Sequence, residues 1–199
     1  MRFYSTLLLP LTFFLFLTFS AVSQGYKAET FHLATQKSAK AFIVKYKSDL
    51  HSFSITVEGN RIVEQPPHGQ QNYLSVDNNV LQFLVVPFPV KADYLNFDDE
   101  KKKEFLSEYE EYEMSYIKDA LKVTDLNEKL QFIDLNGRLF LFWFYDMPGR
   151  YQVRQQCYLI TVCYDQMLVL NAPVSTGEDM LAKKDFLCTV GKSLKLSKP

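Results

Sequence analysis

Residues 136–145 read N-G-R-L-F-L-F-W-F-Y, and this stretch decides which fold the chain can adopt. Asn136-Gly137 is the strongest hairpin signal in the sequence, because both central residues of a tight two-residue turn need positive φ. The run at 138–145 that follows is almost continuously apolar, which is typical of a strand buried on both faces. The sequence therefore predicts a central strand that follows a tight turn and needs cover on both sides.

Turn signals and alternating apolar residues predict further strands around this run. In the second half we expect strands at 129–135, 151–164 and 167–172, with turns at 147–149 and 165–166. In the first half we expect strands at 41–46, 52–58, 61–65, 73–76 and 80–86, with a loop at 66–69 and a polar lead-in at 25–40. Because short turns join consecutive strands, the sheet is predicted to be antiparallel.

Two helices are predicted, and the one at 98–122 is the clearest element of the sequence. Either Asp98 or Asp99 can cap its N-terminus. Its apolar and aromatic stripe has the three- to four-residue spacing of a buried helix face, and consists of Phe105, Tyr109, Tyr112, Tyr116 and Ala120. A closing helix is predicted at 177–196. The predicted fold class is α+β, with an antiparallel β-sheet sandwiched between helices (α/β/α).

The first 24 residues carry the features of a secretory signal peptide. Arg2 precedes an apolar run at 7–19, and residues 21–23 offer small side chains for cleavage. The run has thirteen residues, whereas a membrane-spanning helix needs roughly 20. Cleavage before Gln24 or Gly25 is therefore favoured over an uncleaved anchor. The mature protein is predicted to be exported, either periplasmic or secreted, with no membrane span after cleavage.

Residues 25–199 are predicted to form a single α+β domain. This length is enough for a hydrophobic core without disulfide support. The full chain has 22 basic and 23 acidic residues, and a near-neutral balance argues against nucleic acid as a partner, because that needs a basic surface.

Neither the cysteines nor the three histidines form a recognisable catalytic or metal-binding pattern. Cys157 and Cys163 lie six residues apart on one predicted strand, too far apart for a disulfide. Any bridge would join Cys188 to one of them, and three buried free thiols are the favoured alternative. We predict no catalytic residue, no metal site, no cofactor and no enzyme activity.

The helix at 98–122 carries two groups of side chains that are candidates for a site. Three glutamates share one face, and a solvated surface is favoured over a cation site there: Glu104, Glu108 and Glu111. Tyr109, Tyr112 and Tyr116 keep hydroxyl groups near the boundary of the apolar stripe. These tyrosines are the candidate lining of a groove for a partner or ligand, and core packing is the alternative.

The second half of the chain also resembles a known superfamily. Four segments carry the resemblance: G-R-L-F-L-F-W at 137–143, C-Y-L-I-T-V at 157–162, M-L-V-L-N-A-P at 167–173 and V-G-K-S-L-K-L at 190–196. They are similar to the C-terminal pattern of the PsbP-like/Mog-like superfamily, in which a long helix precedes the last strands and a final helix. The resemblance covers residues 95–196 and implies an antiparallel sheet between helices.

This resemblance implies a binding role rather than an enzymatic one. Members of the superfamily are mostly non-enzymatic, among them extrinsic photosystem subunits and a nuclear-transport regulator. We therefore expect an exported non-enzymatic protein that binds a protein partner or assists a complex. Two alternatives stay open. One is a carrier of a small apolar ligand held between sheet and helix, and the other is an enzyme in which a histidine lies within hydrogen-bond reach of a carboxylate and a hydroxyl or thiol.

Overall fold

The structure is a computed structural model that describes residues 29–38, 40–68, 71–87, 94–149 and 152–197. The signal peptide predicted at 1–24 lies outside these residues. Six strands come first: β1 (His32–Lys37), β2 (Ala41–Lys47), β3 (Ser52–Glu58), β4 (Ile62–His68), β5 (Gln71–Val76) and β6 (Asn79–Pro87). A 3₁₀ turn (Tyr94–Asn96) leads to helix α1 (Asp99–Leu121) and to β7 (Lys129–Asp134), β8 (Leu139–Asp146), β9 (Val153–Cys163) and β10 (Gln166–Ser175). Helix α2 (Met180–Lys192) and β11 (Lys195–Ser197) follow.

The strands form two antiparallel sheets, which we call the small sheet and the large sheet. The small sheet has the order β1-β2-β3-β11, and the large sheet has the order β4-β5-β6-β10-β9-β8-β7. After β6 the chain forms α1 and re-enters the large sheet at its far edge as β7. The strands β7 to β10 then lead back to pair with β6. The predicted α+β class with antiparallel strands is confirmed, but the strands form two sheets instead of one.

The predicted hairpin at 136–137 forms the entry to β8. Asn136 and Gly137 have φ values of 57° and 77°, as a two-residue hairpin turn requires. The backbones of Leu135 and Arg138 exchange two hydrogen bonds across it, of 2.9 and 3.3 Å. Residues 140–143 of β8 are each at most 2% exposed, so the expected burial on both faces is confirmed.

The two faces of the large sheet are buried by different elements. Side chains alternate between the faces along each strand, and on β8 Leu141 and Trp143 pack in one cluster with the apolar side of α1. Phe140 and Phe142 point the other way and pack in a second cluster with residues of α2 and of the small sheet. The predicted cover by one helix on each face therefore needs a correction, because the small sheet shares the second face with α2.

Helix α1 agrees with the prediction to within one residue at each end. The Asp98 carboxylate caps it by accepting a hydrogen bond of 2.9 Å from the backbone amide of Lys101. Lys122 ends it in the left-handed conformation, with φ of 56°. The three glutamates predicted to be solvated are all exposed: Glu104, Glu108 and Glu111.

The predicted closing helix at 177–196 is too long, because α2 ends at Lys192. The Ser193 hydroxyl donates to the carbonyl of Thr56 (2.9 Å) and accepts from its amide (2.7 Å). These bonds hold the chain against β3, so the next residues pair with β3 as β11 instead of continuing the helix. The apolar pair Val190 and Leu194 has helical spacing, which explains why the pattern extended the helix too far.

Three further assignments differ from the prediction. Residues 66–68, expected in a loop, belong to β4, which passes an irregularity in register between Gln65 and His68. β4 is an edge strand, where proline is tolerated. β1 lies within the lead-in that had no strand assigned. The turn before β10 is at Tyr164-Asp165, with Tyr164 at φ 60°, and Gln166 already pairs with Cys163.

Gly191 marks the closest approach of α2 to the large sheet and provides a test of this packing. A Cβ atom at Gly191 would lie 2.9 Å from Leu159 Cδ2 and 3.1 Å from Leu135 Cδ1. We expect Gly191→Val to lower the free energy of unfolding by about 2 kcal/mol or more, because it overpacks a filled core. Thr189→Val places the same side chain at an exposed position of α2 and should change stability by less than about 0.5 kcal/mol. Equal losses in urea titrations of the two variants would contradict the packing.

Candidate functional site

The three tyrosines predicted to line a groove lie in three different environments on α1. Tyr109 is 3% exposed, and Tyr112 is 44% exposed. Tyr116 is half-buried. Tyr109 packs in the cluster between α1 and the large sheet, which is the core role that was its alternative. A groove lined by all three residues stays a prediction.

Buried phenol groups form a polar layer between α1 and the large sheet. The Tyr109 hydroxyl donates a hydrogen bond to the Glu113 carboxylate. The hydroxyl groups of Tyr145 and Tyr158 lie 3.5 Å apart, and the Tyr158 ring stacks on Trp143 with centroids 4.6 Å apart. Burial raises the pKa of Tyr145 to about 12 and holds the pKa of Tyr109 and of Tyr158 well above the usual range. These phenols therefore stay protonated at neutral pH.

Glu110 is a buried carboxyl group that the sequence pattern does not single out. It is 4% exposed, and its Oε1 has no hydrogen-bond partner among the residues that the structure describes. The pKa of Glu110 is raised to about 7, mainly by burial and then by the neighbouring charges of Glu128 and Glu111. Lys118 lowers this pKa by a smaller amount. Lys118 is itself bound to Glu128, with Nζ 2.6 Å from Oε1. Glu110 therefore changes its charge close to neutral pH.

A second polar cluster, which we call the Glu29 clasp, lies where turns of the two sheets meet. His51 Nδ1 lies 2.7 Å from Glu29 Oε2, and the Ser48 hydroxyl donates to the other carboxylate oxygen of Glu29. The Glu29 amide donates to Asp165 Oδ2 (2.6 Å), and the Gln166 side-chain amide donates to the Glu29 carbonyl (2.8 Å). Glu29 thus links the β2–β3 turn of the small sheet to the β9–β10 turn of the large sheet.

The Glu29 clasp contains a histidine, a carboxylate and a hydroxyl, but not in the order of a catalytic triad. In a triad the hydroxyl is bonded to the histidine, which removes its proton. Here the Ser48 hydroxyl is bonded to Glu29, and it also accepts hydrogen bonds from the backbone amides of Leu50 (3.2 Å) and His51 (3.0 Å). The His51 ring stacks on Tyr164 with centroids 3.9 Å apart. These contacts fix a turn and leave no hydroxyl activated by the imidazole.

The three thiols are free and buried, as the favoured interpretation of the sequence expects. Burial raises the pKa of Cys157 and of Cys163 to about 12, and it also raises the pKa of Cys188. Because the thiolate is the reactive form of cysteine, such thiols are poor nucleophiles at neutral pH.

The outer face of the small sheet carries three exposed lysines and is called the basic face below. It consists of Lys45 and Lys47 on β2, Lys195 on β11 and the seryl side chains between them. Lys45 lies opposite Ser54, and Ser54 lies opposite Lys195, so the three residues form one row across the sheet. Glu58, at the other end of β3, is the carboxylate on this face.

Strand β1 forms an edge of the small sheet. It pairs with β2 on one side, and no strand of the described chain pairs with its other side. All six of its side chains are exposed, including Leu33 at 39%. The ammonium group of Lys37 is turned back and donates to the Ile62 carbonyl at 2.9 Å. A strand edge with hydrogen-bonding groups open to another chain therefore lies beside the basic face.

Two other kinds of site can be assessed for the part of the chain that the structure describes. Its His, Cys, Asp and Glu side chains form no group of three or more that could hold a metal ion. Neither of its α-helices is long and apolar enough to cross a membrane.

Comparisons with known proteins found a similar solved structure but no matching family or curated sequence. No protein-family model and no curated protein sequence matches it. Its structure is similar to the solution structure of cyanobacterial PsbP (CyanoP) from Synechocystis sp. PCC 6803, with a TM-score of 0.49 and 13% identity. The similarity covers 81% of this chain and 95% of that chain. This similarity transfers neither a binding site nor an activity to the chain.

The buried carboxyl group of Glu110 makes a testable contribution to the pH dependence of stability. Its pKa is raised from 4.5 in the unfolded chain to about 7 in the folded protein, so the folded state binds the proton more tightly. We expect its contribution to be complete below pH 4.5 and lost as the pH rises to about 7, at a cost of roughly 3 kcal/mol. Glu110→Gln stays neutral, so it should weaken this pH dependence and be more stable than the wild type at pH 8.

Urea titrations at pH 5 and pH 8 measure this effect, and Glu104→Gln is the matched control. Glu104 is exposed on the same helix, and its neutralisation should leave the pH dependence unchanged. If the two variants have the same pH dependence, Glu110 is not the titrating group.

Proposed function

We propose that this chain is an exported, non-enzymatic protein that binds a protein partner or assists a complex in the periplasm or outside the cell. The proposal of export rests on residues 1–24. They contain Arg2, then an apolar run and then small residues suited to cleavage, which is the order found in a signal peptide. The proposal of a partner rests on β1, the strand edge that the rest of the described chain leaves open.

A non-enzymatic role is supported by what the reactive groups already contact. The Ser48 hydroxyl is bonded to Glu29 and to its own turn, and the adjacent imidazole of His51 does not activate it. The thiols of Cys157 and Cys163 are buried and held in the protonated form. Each of these groups has a structural role in the fold, and nucleophilic catalysis requires one that is accessible and activated.

The exposed edge of β1 is the observation that carries the binding proposal. An open strand edge offers a row of backbone donors and acceptors to which an extended segment of another protein can add. Proteins commonly block such edges with projecting lysines or prolines. β1 has six residues and no proline, and its lysine is bonded back to β4.

No observation favours the alternative of a small apolar ligand between sheet and helix. Side chains between α1 and the large sheet pack in one buried cluster, with Leu106 and Ile160 fully buried and Trp143 1% exposed. Partner binding at the surface therefore remains the function that the geometry supports best.

Export is tested by expressing the full chain in a host with a secretion pathway and determining the mass of the exported protein by mass spectrometry. We expect the mass of a chain that begins at Gln24 or Gly25. Recovery of the intact 199-residue chain from the membrane fraction would contradict the proposal of cleavage.

Partner binding through β1 is tested by chemical cross-linking of the mature protein in the exported fraction of its native source. We expect a discrete cross-linked complex with the wild type. Leu33→Glu puts a charge on the open edge and should reduce its yield by about tenfold, because charged side chains on an edge strand disfavour strand addition.

Leu50→Glu is the matched control, since it makes the same exchange at a leucine that is 67% exposed in the β2–β3 turn. This variant should retain the complex, and both variants should keep the wild-type melting temperature. Equal loss in both variants, or no discrete complex with the wild type, would contradict the proposed function.

A further inference from the structure

We infer that the partner presents an extended acidic segment, which adds to β1 so that its carboxylates lie along the basic face. This inference rests on the proposed function, because it specifies the chemistry of the partner that the strand edge takes. It is carried by the position and the pairing state of three lysines beside that edge.

Strand pairing fixes the spacing of these lysines. Lys45 and Lys195 lie in one row with a single strand between them, so their Cα atoms are roughly 10 Å apart. Lys47 is two residues along β2 from Lys45, a distance of roughly 7 Å. The array is flat and extends over two strand spacings, which suits a row of carboxylates on a protein segment better than a single small anion.

The three lysines of the basic face have no carboxylate partner, in contrast to four lysines in other parts of the described chain. Among the described residues, no carboxylate lies within ion-pair distance of Lys45, Lys47 or Lys195. The Nζ of Lys45 donates to the neutral amide oxygen of Gln36 at 3.3 Å. Four lysines in other parts of the structure do have carboxylate partners: Lys102, Lys103, Lys118 and Lys183.

Helix α1, on the other side of the large sheet, has eight acidic and four basic residues and so carries a net negative charge. Helix α1 covers the face opposite to the small sheet, and its exposed glutamates are Glu104, Glu108 and Glu111. The formal net charge is −1, so the molecule as a whole does not attract polyanions. Opposite charges on opposite sides orient an approaching acidic segment toward the small sheet.

The register of β1 and β2 places the open edge within reach of Lys45 and Lys47. Lys195 lies four strand spacings from an added strand, roughly 19 Å, so it acts only through its longer-range field. Lys45 lies opposite Ala34 and Lys47 lies opposite His32 on β1. A strand added to β1 lies two strand spacings from β2, roughly 10 Å, which extended lysine and glutamate side chains span together. Ala34 has a small side chain, so it leaves the path between Lys45 and the added strand open.

The same features disfavour a membrane surface. Recognition of anionic lipids by charge generally uses clusters of about four to eight basic residues, and this face has three lysines. Insertion into a bilayer needs an apolar surface, and the outward residues of β2 and β3 include Ile43 as their one large apolar side chain.

The test uses a short peptide of alternating Thr and Glu as the acidic probe, with a Thr and Lys peptide as its opposite-charge counterpart. We expect the mature protein to bind the acidic peptide at low salt and to bind it more weakly as the salt concentration rises. It should not bind the basic peptide. Exchange of Lys45, Lys47 and Lys195 for glutamate should weaken binding by about tenfold or more. A triple Lys→Gln variant should lie between the wild type and the glutamate variant.

A control variant with the same change in charge exchanges Lys101, Lys122 and Lys129 for glutamate, since these lysines are exposed on α1, at its C-terminus and on β7. It should bind the acidic peptide like the wild type. Equal losses in the two triple variants would overturn the inference. So would tighter binding to phosphatidylglycerol vesicles than to the peptide, or a wild type that oligomerises through the basic face.

Failure of this inference can be told apart from failure of the proposed function. If the cross-linked complex depends on Leu33 but survives the Lys→Glu exchanges, the partner adds to β1 without being acidic. If no discrete complex forms with the wild type, the proposed function itself fails.

Discussion

Burial of β8, β9 and β10 on both faces is the constraint on which the rest of this structure depends. These neighbouring strands carry apolar side chains in both directions, and a sheet of this kind is stable only when both surfaces are removed from water. α1 covers one face of these strands, and α2 and the small sheet together cover the other. The insertion of α1 between β6 and β7 follows from the same need, since a helix that crosses the sheet joins its middle to its far edge and covers the surface between them.

The elements that the sequence predicts well are those whose information is local. The Asn136-Gly137 turn, the alternating strand at 52–58 and the capped helix α1 each depend on residues that are close together in the chain. β1 and β11 were not predicted, because a short exposed strand is defined by the neighbour it pairs with and that neighbour can be distant.

The residues of the candidate sites also differ in whether the sequence pattern reveals them. The exposed glutamates of α1 follow from helix periodicity, whereas the Glu29 clasp and the row from Lys45 to Lys195 join residues more than 100 positions apart.

The buried polar groups explain how an exposed strand is held in position. Glu29 lies three residues before β1, and the Glu29 clasp joins turns of both sheets. The clasp therefore fixes the position of the N-terminal end of β1. Tyr164 extends the same region, because its ring stacks on His51 and its hydroxyl donates to the Ser197 carbonyl at 3.0 Å. The small sheet is therefore anchored near the start of β1, and the bond from Lys37 to the Ile62 carbonyl holds the other end of that strand.

The pairing of β3 with β11 has a consequence for the order in which the protein folds. Thr56 and Ser193, which bond to each other beside these strands, are separated by 137 positions in the sequence. Contacts between such distant residues form slowly, because a long loop must close before they gain any energy. During synthesis β3 is therefore made long before the strand that becomes its second neighbour, and the small sheet is completed in one of the last folding steps. If the chain crosses a membrane from its N-terminus, as proposed, it reaches the far side with this sheet unfinished and completes its basic face only after β11 has followed.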